Sequence, residues 1–239
     1  MQSIHRKSAP SVGKAAFSLV EMLVVIAIIS ILMTLGSIGL SGMGGKGVTS
    51  GVATAESLFD EARSTAVGKN IRACVLVAKS LTNNSADDLK RIIVAYEPLD
   101  DTGQPSTLAG ANPAWVVSSR GAVLPDQTFF SSDLSKKDHS GGSDAIKTVT
   151  LTGAKKSYEG EYYIYEFNSQ GICTTPGASF VIGNGSRNLT QPASAQPPKV
   201  MASSKRDFGG FVVWRNGRTS VFRSPDQISA SLPDSGKTF

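Results

Sequence analysis

Lys14-Ala15-Ala16-Phe17-Ser18-Leu19-Val20-Glu21-Met22 runs from a basic flank into an apolar segment, and Met22–Leu40 continues it as MLVVIAIISILMTLGSIGL. From Met22 to Gly45 no residue is charged. At about 1.5 Å per residue in a helix, that segment is long enough to cross a hydrocarbon core of roughly 30 Å. The flank before it holds Arg6, Lys7 and Lys14 and no acid. A positive flank stays in the cytoplasm, so the spacing predicts a membrane helix with the remaining chain exported. An ordinary secretory signal has a shorter apolar region followed by a small-residue cleavage site. Here the order of residues points to a cut ahead of the apolar run.

Glu21 is the one acid at the edge of that run. Placing an unpaired charge in a membrane helix costs on the order of 2.5–3.5 kcal/mol at the centre and less toward an end. An amine and a carboxylate about 4 Å apart attract by roughly 4 kcal/mol at an effective dielectric near 20, which is enough to offset that cost. A cut before Phe17 creates such an amine. The competing reading is an interfacial Glu21 whose carboxylate reaches the headgroups.

Phe17-Ser18-Leu19-Val20-Glu21 resembles the Phe-(Ser/Thr)-Leu-(Val/Ile)-Glu run of type IV pilins and type II secretion pseudopilins. Ala16 stands where that family has Gly before the cut. The resemblance implies cleavage between Ala16 and Phe17 by a prepilin peptidase, N-methylation of Phe17, and assembly of the apolar helix with other pilin or pseudopilin subunits. It also implies that Glu21 pairs with the Phe17 amine of a neighbouring subunit, because within one straight helix that amine points away from the Glu21 side chain. The expected location is the inner (cytoplasmic) membrane, crossed once, with the head in the periplasm and a place in a type IV pilus or type II secretion pseudopilus.

The expected organisation is a leader over 1–16, an assembly helix over 17–41, a Gly-rich joint and amphipathic helix over 42–69, and an exported β-rich head over 70–239. Gly36, Gly39, Gly42, Gly44, Gly45, Gly47 and Gly51 punctuate the joint. Each weakens a helix by up to about 1 kcal/mol relative to Ala, which predicts a flexible break. A small-residue packing face is the other reading. Gly44-Gly45-Lys46-Gly47 is no phosphate loop, since Gly follows the lysine where Ser or Thr is required. From Val48 to about Val67, residues Val52, Ala55, Leu58, Phe59, Ala62 and Ala66 recur on one helical face, predicting a helix laid on a sheet.

Beyond Asn70 the chain reads as strands: 71–78, 91–96, 115–118, 148–152, 162–167, 179–182, 210–215 and 219–223, rich in β-branched and aromatic residues. Asn216-Gly217 predicts a type I′ hairpin turn. Ser131–Asp144 and Gly185–Arg206 are polar and read as mobile loops. The fold class is therefore α+β, a long N-terminal helix broken at the glycines and packed on an antiparallel β head. Phe167–Gly171 followed by Ala178–Ile182 is similar to the strand-turn-strand pattern of the H-type minor pseudopilins, which favours a minor over a major subunit.

The net charge of +5 suggests a nucleic-acid partner at first sight. Removing the three leader cations from the 24 basic residues leaves 21 against 19 acidic ones. A local excess survives in Lys199, Lys205, Arg206, Arg215, Arg218, Arg223 and Lys237, with Trp214 and Phe222 interleaved. Basic and aromatic residues together can hold a strand of nucleic acid, although a solvated strand face gives the same pattern.

Cys74 and Cys173 lie in or beside strands, and an exported compartment permits a disulfide. A bridge closing a loop of roughly 100 residues would stabilise by up to about 4.7 kcal/mol. Two buried thiols fit the sequence equally well. Catalysis has little support, because the two histidines are His5 in the leader and His139 in a polar loop. Asp138-His139 with Asp144 lacks a ligand spacing, and Asp87-Asp88 and Asp100-Asp101 read as loop acids, so no metal, cofactor or enzymatic activity is assigned. The alternatives are a membrane-tethered exported enzyme or binding protein and, as the family resemblance implies, a DNA-binding minor pilin for DNA uptake.

Overall fold

The computed structural model describes residues 19–41, 43–99, 102–103, 115–142, 144–153, 155–201 and 207–239. The chain divides into two compact units, 1–42 and 43–239. The first contains helix α1 (Leu19–Ser41), and the second runs from Met43 to Phe239.

The second unit opens with helix α2 (Met43–Lys69), which starts five residues ahead of the expected Val48 and takes Gly44, Gly45, Gly47 and Gly51 inside it. Packing explains the glycine at position 51. A Cβ on Gly51 would lie 2.8 Å from Ile182 Cδ1 and 3.3 Å from Leu124 Cδ2, so the missing side chain lets the helix press onto the β layers. Val52, Ala55, Leu58, Phe59, Ala62 and Ala66 are all buried, as their helical period requires.

Two antiparallel sheets receive this helix. The first contains β1 (Ala73–Leu81), β2 (Arg91–Tyr96), β3 (Val116–Val117), β4 (Ala122–Val123), β6 (Thr148–Leu151) and β7 (Gly160–Phe167), in the order β3-β2-β1-β7-β6 with β4 also on β2. The second contains β5 (Thr128–Phe130), β8 (Ala178–Ser186), β9 (Lys199–Val200), β10 (Phe208–Val213) and β11 (Thr219–Val221), in the order β11-β10-β8-β5 with β9 also on β8. Strand alternation divides β1 between two apolar clusters: Ala73, Val75 and Val77 join the main core, whereas Cys74, Leu76 and Ala78 join a second cluster with Ile93, Ile164, Trp115 and Tyr162. At the centre of the main core, the Phe59 ring meets Tyr165 at 5.1 Å and Phe211 at 5.0 Å, both edge-on.

Several expectations change here. Cys74 and Cys173 are both free and buried, and they belong to different clusters, so no disulfide joins them. Burial pushes both thiols above their ordinary range. The hairpin turn is not type I′. Gly217 N–H donates to Trp214 C=O at 2.8 Å, Trp214 N–H donates to Arg218 C=O at 2.8 Å, and only Gly217, with φ of 73°, takes the left-handed conformation. This is a three-residue loop with a glycine bulge. The reason is docking: a Cβ on Gly217 would lie 2.4 Å from the Gly171 carbonyl, so the Trp214–Gly217 turn seats against the Asn168–Gly171 turn.

The polar stretches are anchored where the structure describes them. Ser131 and Ser135 are fully buried; Ser135 Oγ accepts from Val181 N–H at 3.0 Å, and Lys136 C=O accepts from Ser179 N–H at 2.8 Å. These bonds let 131–136 run along β8 without strand composition. The later stretch is held by Asp88, a fully buried acid that accepts from Ala193 N–H at 3.0 Å and Leu81 N–H at 2.8 Å. Arg187 Nη1 lies 4.0 Å from its carboxylate and donates to Gln191 C=O at 2.8 Å, while Nη2 donates to Ser85 C=O. Burial raises the Asp88 carboxyl above the ordinary range, with the backbone donors and Arg187 opposing it, and lowers Arg187.

Candidate functional site

Helix α1 carries Leu19, Val20 and Glu21 of the motif. Its sequence LVEMLVVIAIISILMTLGSIGLS places apolar residues around the whole circumference, and its 23 residues extend about 34 Å at 1.5 Å per residue. The continuous run of β-branched and leucine side chains forms a helix because every backbone group is paired internally, whatever surrounds it. Glu21 sits in the first turn, where the positive end of the helix dipole favours an acid. Ser30 Oγ donates to Ile26 C=O at 2.8 Å, so this hydroxyl is satisfied within the helix.

The apolar side chains of this segment are exposed in the isolated chain: Leu19 by 81%, Val20 by 70%, Leu23 by 62% and Ile26 by 63%. Covering each such side chain gains about 1.5–3 kcal/mol. A surface of this kind demands cover from lipid or from neighbouring helices. Among the described side chains, which in α1 end at Ser30, no helix is long and apolar enough to cross a membrane. Ala16 and Phe17 lie outside the described residues, as do Lys205 and Arg206 of the basic stretch and Asp100 and Asp101 of the loop acids.

The other singled-out residues do not converge. Arg215, Arg218, Arg223, Lys199 and Lys237 are exposed. Trp214 is half-exposed and donates its Nε1 to Ser220 Oγ at 2.8 Å, whereas Phe222 packs against the main core and the His139 ring. They form no continuous stacking platform. His139 Nε2 is 2.8 Å from Gln227 C=O. Asp138 accepts from Ser140 Oγ at 2.7 Å and from Ser140 N–H at 3.0 Å, and these two bonds hold its carboxyl below the ordinary range. Among the described residues, no group of three or more His, Cys, Asp or Glu side chains could hold a metal. Asp87 accepts from Asn84 Nδ2 at 2.8 Å and Arg91 Nε at 2.8 Å, so this loop acid is a structural clamp, as is Asp88.

An acid-led apolar helix in one unit is followed in the chain by an α+β head in the other, and the N-terminal part resembles a prepilin-type N-terminus. Residues 13–42 match the prokaryotic N-terminal methylation motif, a span that includes Ala16, Phe17 and the whole of α1. No curated protein matches the chain in sequence. A crystal structure of the type IV minor pilin FimU from Pseudomonas aeruginosa PAO1 is similar at 15% identity and a TM-score of 0.35, covering 79% of this chain and 93% of that one. A likeness that distant carries no argument for function.

Proposed function

We propose that the chain is a structural minor subunit of H type, cut between Ala16 and Phe17 by a prepilin peptidase, methylated at Phe17, and assembled through 17–41 into a type IV pilus or type II secretion pseudopilus. The observation that carries this is Glu21 in the first turn of an otherwise apolar, exposed helix, inside a matched methylation motif. Before assembly the helix lies in the inner membrane with the cationic flank on the cytoplasmic side and the head in the periplasm. In the assembly, Glu21 accepts the new Phe17 amine of a neighbour, which fixes the axial register: a subunit displaced along the helix leaves a carboxylate buried without its cation. The work is done by packing and register, with no chemical step in the head.

The Glu21→Leu variant tests it. It remains in the membrane, because the substitution makes the helix more apolar, but fails to co-purify with the host's other processed prepilin-type subunits. Co-purification equal to that of the unaltered chain would contradict the role given to Glu21.

A further inference from the structure

We infer that the head binds an extended acidic peptide segment of another protein chain in a groove at the β3 edge of the first sheet. The cavity there measures about 440 Å³, within the range of ligand-sized sites, and its floor is Trp115, Val117 and Tyr158. The walls are held in place. The Arg72 guanidinium lies over the Trp115 ring at 5.5 Å and pairs with Glu97 at 3.2 Å. Tyr158 lies under the Arg91 guanidinium at 5.5 Å, and its N–H donates to Lys155 C=O at 2.8 Å.

Three independent features select the occupant. The first is an unmet donor: Trp115 is 6% exposed, and its indole Nε1, fully shielded from solvent, has no hydrogen-bond partner. A buried N–H of that kind costs about 1–3 kcal/mol until an acceptor reaches it. The second is charge. The ionisable side chains among the described lining residues are Arg120 and Lys155, both exposed cations, together with neutral Tyr158, so the groove complements a carboxylate.

The third is the backbone. Among the described residues β3 is the end of its sheet, pairing only with β2 through Tyr96↔Val116 and Ala95↔Val117. Ser118 N–H donates to Val94 C=O at 2.8 Å, which makes the next pair, Val117 and Ala95, the non-hydrogen-bonded one. The N–H and C=O of Val117 therefore point away from β2, where no described strand pairs with them. A strand laid there gains backbone bonds from Val117, seats an aliphatic side chain on Trp115 and Tyr158, and brings carboxylates to Arg120 and Lys155.

The experiment uses the full chain in detergent micelles with Trp214→Phe, which leaves Trp115 as the single indole, and follows its ¹⁵N–¹H resonance. The probes are acetyl-Val-Glu-Val-Glu-Val-amide, its Gln counterpart, and N-acetyl-leucine as a free carboxylate. A saturable shift with the Glu peptide is expected, weakened about tenfold or more in the Gln peptide and in Arg120→Gln/Lys155→Gln, the equivalent of losing one charge-assisted bond. Val117→Pro, which keeps the bonds to β2 and removes the outward N–H, abolishes the shift while the rest of the spectrum is retained. No shift at millimolar peptide, equal binding of the Gln peptide, or N-acetyl-leucine binding as tightly as the pentapeptide would overturn the proposal; the last would mark a small-molecule carboxylate site. The outcome is independent of processing at Phe17, so its failure leaves the subunit reading intact.

Discussion

Helix α1 and strand β1 are both apolar along most of their length, yet they meet opposite fates. In β1 the alternation of side chains sends Val75 and Val77 to the main core and Cys74 and Leu76 to the second cluster, and all four are fully buried. Leu23 and Ile26 of α1 are 62% and 63% exposed in the single chain. Two-sided burial in a sheet needs cover on both faces, and the head supplies both from its own residues. A helix apolar all round needs cover on every side, which is a property of a membrane or an assembly. The difference teaches that apolarity alone does not mark a core. Its period, and the presence of chain elsewhere to meet it, separate a folding element from an assembly element.

Substitutions on the two sides should behave differently. Phe59→Ala empties the centre of the head, where four aromatic rings meet Phe59, and should cost about 3–5 kcal/mol in urea unfolding of the full chain. A loss below 1 kcal/mol would show that the head does not depend on α2 for its core. Asp88→Ala leaves two buried backbone donors without their acceptor and Arg187 without its counter-charge, and should cost about 3 kcal/mol.

The two clamped acids respond to pH with opposite signs. Burial raises the folded-state Asp88 carboxyl, so its ionisation lowers stability as pH climbs from the ordinary aspartate value through the raised one, and Asp88→Asn removes that slope. Lys79 Nζ donates to Glu161 at 2.8 Å and holds its carboxyl below the ordinary range. That contribution is complete above the ordinary glutamate value and lost as pH falls through the depressed one. Both partners are more than one-third exposed, so Glu161→Gln should cost about 0.2–1 kcal/mol, less at high salt. Smallest of all, Leu23→Ala in α1 should change the head's free energy of unfolding in urea by less than about 0.5 kcal/mol, because it lies in the other compact unit. A larger shift would erase the distinction between the two regions.

Legibility in the sequence followed the range over which each signal acts. Phe17–Glu21 and the apolar run are contiguous, so the motif was readable without any tertiary information. The face of α2 was readable because burial follows one period over many residues, and strand β2 at Arg91–Tyr96 because it is a short continuous run rich in β-branched residues. Strand β5, Thr128–Phe130, is three residues long and offers no period to detect. The anchored loops depended on single groups, the hydroxyl of Ser135 and the carboxylate of Asp88, with partners far away in sequence: Val181 is 46 residues from Ser135 and Ala193 is 105 residues from Asp88. Asn216-Gly217 carried the local signal for a type I′ turn, and docking against Gly171 selected another. The β3 groove had no sequence signature, since Trp115, Arg120, Lys155 and Tyr158 come together only when β2 and β7 pair with β1.

The most direct test of the central claim, that α1 is a processed assembly element, is the intact mass and N-terminal sequence of the protein taken from membranes of its native host. A chain beginning at Phe17 and heavier by one methyl group is the predicted result. A chain beginning at Met1, or beyond Ser37, would contradict it and return the head to the class of membrane-tethered or secreted binding proteins and enzymes.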